Sequence, residues 1–247
     1  MAIQIQSDAA AWRDPSAAGA RSSAIPAYLE QDYWWAYVHP KAVRLFEREW
    51  LVDTILFGNY ARLRDAALAD LTGPDGQVHG RNLQVACVYG NLTPKLVGRL
   101  APDASLSVVD ILPIQLGNLE RKLRPDPRVT LQLGDASRLD APDASYDQVL
   151  LFFLLHEEPE AVRRGTLAEA LRVVKPGGRV VIVDYAQPSA LHPMKPLMRV
   201  VFKRLEPYAH ELWEHPIQDF LPEAATPSSI EHRRYFGGLY QKLVVTR

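Results

Sequence analysis

Four acids and a histidine stand directly after runs of apolar residues, and that placement gives them chemical interest. Asp110 closes SVVD, Asp135 follows LQLG, His156 and Glu157 follow the run Val149 to Leu155, and Asp184 closes VVIVD. An acid at the end of a strand can accept hydrogen bonds from the hydroxyls of a ribose, which is the role read for Asp110. Asp135 is placed to accept from an adenine amine, and the two acids together favour a nucleoside site. Imidazole beside carboxylates suits either acid–base work or a divalent cation. A hard ion such as Mg²⁺ or Mn²⁺ prefers oxygen ligands, so His156, Glu157 and Asp184 form a candidate metal set. The plainer reading of His156-Glu157-Glu158 is a helix start, where the dipole favours acids before Pro159.

Gly90 lies in NLQVACVYGNLTPKL, residues 82–96, which reads as strand, turn and helix. Glycine there would let a ligand approach the backbone closely. Thr93 is expected as the helix N-cap and Pro94 as its first residue. Cys87, the single cysteine, is expected to pack at the strand end rather than to act as a nucleophile. His39, His192, His210 and His215 have no metal spacing and are expected at the surface or in caps.

The elements that must position these groups follow a βαβ rhythm. Strands are expected at 83–88, 107–111, 129–133, 148–155 and 179–185, with helices near 94–100, 113–123 and 158–174. Successive strands joined by helices argue for a doubly wound α/β sheet, mostly parallel and covered on both faces. Two β-like runs flank Gly237-Gly238 and read as an antiparallel hairpin. Residues 1–24 read as a loosely ordered tail, and residues 25–72 as a helical cap that begins its amphipathic pattern near Pro40. Residues 81–247 form the sheet domain, with a partly helical insertion at about 186–225. Within it, Lys195, Arg199, Lys203 and Arg204 alternate with apolar residues, a mixture suited to a membrane surface or to a solvated face.

Composition narrows the classes. The chain has 247 residues with Lys+Arg 28 against Asp+Glu 29, a balance that leaves no electrostatic footprint for nucleic acid. One cysteine excludes an intramolecular disulfide framework. The longest apolar run is far short of a membrane span, and no signal-peptide pattern opens the chain, so a cytoplasmic compartment is expected.

The strings NLQVACVYGNLT, SVVD, LGDAS, YDQVLLFFLLHE and LRVVKPGGRVVIVDY resemble the class I S-adenosylmethionine-dependent methyltransferases. The resemblance implies a seven-stranded sheet with an antiparallel last strand. It also implies cofactor contacts at Ala86, Val88, Gly90, Asp110, Asp135 and the adjoining Ala136. The usual first motif carries an acid and three glycines. Gln84, Ala86, Val88 and Gly90 stand at those positions, so one glycine remains. That departure, with YWWAYVHPKAVRLFEREWLVDTILFGNYARLRDAAL, is similar to the rhodoquinone-biosynthesis group of methyltransferase homologues. Membership would imply conversion of ubiquinone to rhodoquinone, with a ring methoxy replaced by an amine. It would also imply S-adenosylmethionine as amino donor, Mn²⁺ as metal and peripheral contact with the inner membrane. His156, Tyr60 and Tyr37 are then the candidate catalytic residues, the tyrosines against the cofactor carboxylate or the quinone. A conventional methyltransferase of a lipophilic quinol, and a non-catalytic quinone- or partner-binding protein, remain alternatives.

Overall fold

A computed structural model of the chain describes residues 4–5, 25–33 and 40–247. The helices are α1 (Ala27–Asp32), α2 (Pro40–Phe46), α3 (Glu49–Ile55), α4 (Tyr60–Leu71), α5 (Leu92–Val97), α6 (Pro113–Lys122), α7 (Glu160–Val173), α8 (Lys195–Leu205) and α9 (Glu211–Glu214). The strands are β1 (Gln4–Ile5), β2 (Arg81–Val85), β3 (Ser105–Asp110), β4 (Val129–Leu133), β5 (Tyr146–Phe152), β6 (Val174–Tyr185), β7 (Ser229–Tyr235) and β8 (Tyr240–Thr246). Tyr37 and His39, and most of the expected tail, lie outside the described residues.

The strands form one sheet in the order β1-β4-β3-β2-β5-β6-β8-β7. All neighbouring pairs from β1 to β6 are parallel, while β8 runs antiparallel to both β6 and β7. This is the expected mostly parallel α/β sheet with its antiparallel last strand. The two-residue β1 adds a short eighth strand at one edge, outside the expected seven.

Alternation explains how a continuous apolar strand is satisfied. Val149 and Leu151 of β5 join the core on one face, with Leu167, Ala170 and Leu171 of α7. Leu150 and Phe152 join the core on the other face, with Leu63 and Leu68 of α4, Leu96 of α5 and Leu119 of α6. Thus α4 is part of the helical layer over the sheet, whereas α1 to α3 border its carboxyl edge. No helix among the described residues is long and apolar enough to cross a membrane.

Two local expectations change. Helix α5 starts at Leu92, and Thr93 is inside it, fully buried, with Oγ1 donating to Gln84 at 3.0 Å. No side chain of the N-cap Asn91 closes the helix; the Tyr60 hydroxyl accepts from Asn91 N at 2.9 Å and Leu92 N at 3.0 Å instead. His192 is buried rather than at the surface and takes the capping alternative, its Nδ1 accepting from Met194 N just before α8 at 3.2 Å and its Nε2 lying 2.9 Å from the Phe236 carbonyl oxygen.

Candidate active site

A cavity of about 520 Å³ opens where β2 to β6 end. This is the edge at which open α/β sheets bind ligands. On the β2–β3–β4 side its wall is Ala86, Cys87, Val88, Asp110, Asp135 and Ala136. On the β5–β6 side it is Phe153, His156, Glu157 and Tyr185. Tyr28 of α1, Ile55 and Phe57 at the end of α3, and Met198, Val201 and Glu206 of the α8 region complete it.

The first turn, residues 86–90, is built without the freedom of several glycines. Ala86 takes φ 67°, a left-handed conformation that an L residue rarely adopts. Gln84, fully buried, holds it by donating from Nε2 to the Ala86 carbonyl oxygen at 2.9 Å. Gly90 has φ 79°, and a Cβ there would lie 2.6 Å from the Tyr60 hydroxyl. The close approach at Gly90 is therefore made by Tyr60, and Gly90 is not part of the cavity wall. The Tyr60 hydroxyl also donates to the Tyr89 carbonyl oxygen at 3.2 Å, so its polar end serves the turn while its ring faces the cavity. Burial pushes its pKa up to about 12, against the two backbone bonds that it accepts. The cap reaches the same turn through Glu47, which accepts from Gly90 N at 3.2 Å and from Lys122 Nζ at 2.7 Å. Lys122 also donates to the Val88 and Gly90 carbonyl oxygens.

Asp110 lies at the end of β3, where the sequence places it. Its oxygens accept from Cys87 N at 2.7 Å and Leu112 N at 2.8 Å. Burial nevertheless pushes its pKa up to about 6. Burial and the Asp110 charge hold the Cys87 thiol well above its ordinary range, so Cys87 remains protonated and unreactive. Asp135 turns one oxygen back to Ser137, accepting from N at 2.8 Å and Oγ at 2.7 Å.

His156, Glu157 and Asp184 come together as expected, but as a hydrogen-bonded cluster. Asp184, fully buried, accepts from Leu155 N, His156 N and Tyr185 N, and stands 2.9 Å from His156 Nδ1. The opposite ring nitrogen, Nε2, lies 3.7 Å from Glu157 and 3.8 Å from Glu206. Burial acts to lower the His156 pKa. The charge and hydrogen bond of Asp184, with the charges of Glu206 and Glu157, outweigh it and raise the value to about 9. Asp184 thus favours the protonated imidazole. It sits among aromatic rings, with its centroid 4.8 Å from Tyr185 and 5.9 Å from Phe153, both edge-on. Phe153 takes φ 54° and Phe57, on the same cavity wall, φ 52°, left-handed positions of bulky residues.

The post-β5 loop that carries His156 is fixed from beneath by Arg163. This fully buried guanidinium donates to the carbonyl oxygens of Leu155, Glu158 and Tyr208 and pairs with Glu211. Glu206, Arg163, Glu47 and Lys122 were not found by sequence reasoning. They come from cap or layer helices whose contacts with the sheet edge leave no local signature. Only the lone acid Glu206, at the end of an otherwise basic helix, offered a hint.

Residues 83–178 match a family described as "Methyltransferase domain". A demethylmenaquinone methyltransferase of Symbiobacterium thermophilum is 36% identical over 109 residues, covering 43% of each chain. A ubiquinone/menaquinone biosynthesis C-methyltransferase of Caulobacter vibrioides is 30% identical over 145 residues, covering 56% of each chain. The chain thus spans about half the length of these curated relatives. Human N-acetylserotonin methyltransferase, solved in complex with S-adenosylmethionine, superposes with a TM-score of 0.58 at 14% identity, covering 89% of this chain and 62% of the other. The fold is that of the class I S-adenosylmethionine-dependent methyltransferases.

In this methyltransferase fold the described wall suits a nucleoside. Asp110 and Asp135 end adjacent strands on one side of the cavity, with the small Ala86 and Ala136 leaving room. The residues do not suit a divalent cation. The Asp184 carboxylate is committed to three backbone N–H groups and the imidazole, which leaves neither oxygen without a partner. Among the described residues, no three His, Cys, Asp or Glu side chains converge as metal ligands. The expected set of His156, Glu157 and Asp184 is thus an ion-pair cluster in geometry.

Proposed function

We propose that the protein uses S-adenosylmethionine to exchange a ring methoxy group of ubiquinone for an amine, the change that makes rhodoquinone. The observation that carries this reading is the His156 ring, held through Nδ1 by Asp184 at 2.9 Å and set in the wall of an aromatic cavity, where Asp184 favours its protonated form. A hydrogen bond from it to a quinone carbonyl would draw electrons from the ring and make the adjacent carbon more electrophilic. Attack by an amine needs that polarity. Methylation of a ring carbon needs the opposite, an electron-rich quinol. Asp110 would accept from the ribose hydroxyls and Asp135 from the adenine amine. The methionine end of a bound cofactor would supply the amine, with methoxy leaving as methanol. Water would then release the methionine carbon as a 2-oxo acid, and the two electrons that carbon gives up would reduce the quinone to the quinol. Tyr60 supports a changed pose for that end, because its hydroxyl already takes the N–H groups at the start of α5. Phe57, Phe153 and Tyr185 offer flat apolar surface for the ring. The isoprenoid tail of such a substrate lives in a bilayer, so the reading carries with it a working position at the cytoplasmic side of the inner membrane.

C-methylation of a quinone ring is the second reading, favoured by the activities named for the relatives. One product assay separates the two. A short-tailed ubiquinone is supplied with S-adenosylmethionine carrying heavy nitrogen at its amino group. Loss of methoxy with gain of the labelled amine is the expected result, and an added methyl would favour the second reading. His156→Gln should lower amine formation by roughly 100-fold or more while cofactor affinity stays within about two-fold. Full activity in that variant would remove His156 from the reaction.

A further inference from the structure

The charge inside the cavity is mostly of one sign. Asp110, Asp135, Glu157, Glu158 and Glu206 stand in its wall with a single histidine, His156, and among the described residues no lysine or arginine joins them. Several of these acids are bonded within the chain. Asp110 accepts from two backbone N–H groups, Asp135 turns to Ser137, and Glu158 accepts from Thr166 Oγ1 at 2.8 Å. Glu158 and Glu206 each leave one buried oxygen, Oε2, without a hydrogen-bond partner. An acceptor buried in that state is costly until a donor fills the place.

The first turn offers no such opening, because its polar groups are filled from within. The Tyr60 hydroxyl takes Asn91 N and Leu92 N, and Glu47 takes Gly90 N. Lys122 sets its own ammonium against the carbonyl oxygens of Val88 and Gly90, at 3.1 Å and 3.0 Å. The amino-acid end of a methionine carries an ammonium and a carboxylate. At this turn it would meet an ammonium and a carboxylate of the protein already in place. An amino group inside the cavity therefore needs another acceptor, and the two unpartnered oxygens are the candidates. Glu158 has Thr166 as a donor and the charge of Arg163 beside it. Glu206, the residue that ends α8, has only 17% of its side chain exposed, and its Oε2 lies 3.8 Å from His156 Nε2, too far for a hydrogen bond. That ring nitrogen is the one opposite the Asp184 contact, free to address a quinone carbonyl. An amino group received at Glu206 would stand on the same side of the cavity as the carbonyl that His156 polarises.

We propose that Glu206 binds the ammonium of the cofactor's methionine end and holds it beside His156 Nε2. This deepens the amine-transfer reading and rests on it for its purpose. The binding test needs no quinone.

Calorimetry on the full chain would compare three ligands. S-adenosylmethionine has the sulfonium and the amine, its deaminated analogue keeps the sulfonium and has hydrogen in place of the amine, and methylthioadenosine has neither. Loss of the amine should weaken binding to the parent at least ten-fold and to Glu206→Gln by less than about two-fold. Glu206→Gln should bind S-adenosylmethionine at least ten-fold more weakly than the parent does, and the other two ligands within about two-fold. Glu206→Ala should repeat that pattern, and methylthioadenosine reports in each case that the cavity is intact. Glu158→Gln should keep the parent's preference for the amine. Additive losses from ligand and protein changes would overturn the proposal, as would a parent that binds none of the three. So would an equal loss for the deaminated analogue, which would give Glu206 to the sulfonium, or a preference lost in Glu158→Gln instead. The expected pattern with a methylated quinone as product would leave Glu206 in its role and sink the amine-transfer reading. An aminated quinone, with affinities unchanged in Glu206→Gln, would do the reverse.

Discussion

Ala86 holds φ 67° with a methyl group where glycine would be unstrained, and it does so at the end of the strand that opens the cavity. The left-handed conformation costs an L residue roughly 1–2 kcal/mol, partly offset because alanine has less freedom than glycine to lose on folding. Ala86→Gly should therefore stabilise the protein by about 0.5–1 kcal/mol, read from the urea midpoint. A loss of stability would mean that the methyl group packs more usefully than its backbone strain suggests. Gly90 is the converse case. Its φ is 79°, and a methyl group added there would sit 2.6 Å from the Tyr60 hydroxyl, so Gly90→Ala should destabilise by more than Ala86→Gly stabilises. The one glycine retained in this turn serves a tyrosine of the protein.

At the scale of elements, the cap and the sheet meet through a carboxylate. Glu47, between α2 and α3, reaches Gly90 N, Lys122 and Asn118, so the cap is tied to the first turn and to α6. Both partners of the Glu47–Lys122 pair are largely enclosed, at 19% and 16% side-chain exposure, which makes removal of one partner costly to the other. Glu47→Gln and Lys122→Met should each destabilise by about 1–3 kcal/mol, and the double variant by clearly less than their sum. Additive losses would show that the two side chains act separately. This contact also marks what a sequence can disclose. Asp110, Asp135, His156 and Asp184 were legible because each follows a strand whose apolar run fixes its end at the ligand-binding edge. The parallel order and the terminal hairpin were legible from the same periodicity. Glu47, Lys122, Glu206 and the Tyr60 cap were not, because they depend on where helices distant in sequence dock. The metal set rested on spacing, which does bring His156 and Asp184 together, whereas the backbone N–H groups that occupy Asp184 appear only once the loop is folded.

The whole molecule concentrates ionisable groups whose pKa values are raised around one cavity, and this sets its stability against pH. Burial lifts Asp110 from 3.8 to about 6. Burial also lifts Glu158 from 4.5 to about 8, opposed by the Thr166 hydrogen bond and the Arg163 charge. His156 rises from 6.5 to about 9 because Asp184 and its acidic neighbours overcome the opposing effect of burial. In each case the folded pKa lies above the unfolded one, so the folded state binds protons more tightly over the interval between them. The associated stability is full below the unfolded value and is lost as pH rises through the folded value. At the acid end, Asp65, Asp126 and Glu169 are held below their ordinary range by hydrogen bonds from Arg64, Arg128 and Arg172, and their contribution is lost only as pH falls through those lowered values. Stability should therefore peak near about pH 4 and decline by on the order of several kcal/mol towards pH 9. Thermal melts across that range would check it, and a flat or rising profile would contradict it. Glu158→Gln keeps the shape of the side chain and removes its titration. It should flatten the decline between about pH 4.5 and pH 8, leaving in place the part between about pH 4 and 6 that belongs to Asp110 and the part between about pH 6.5 and 9 that belongs to His156.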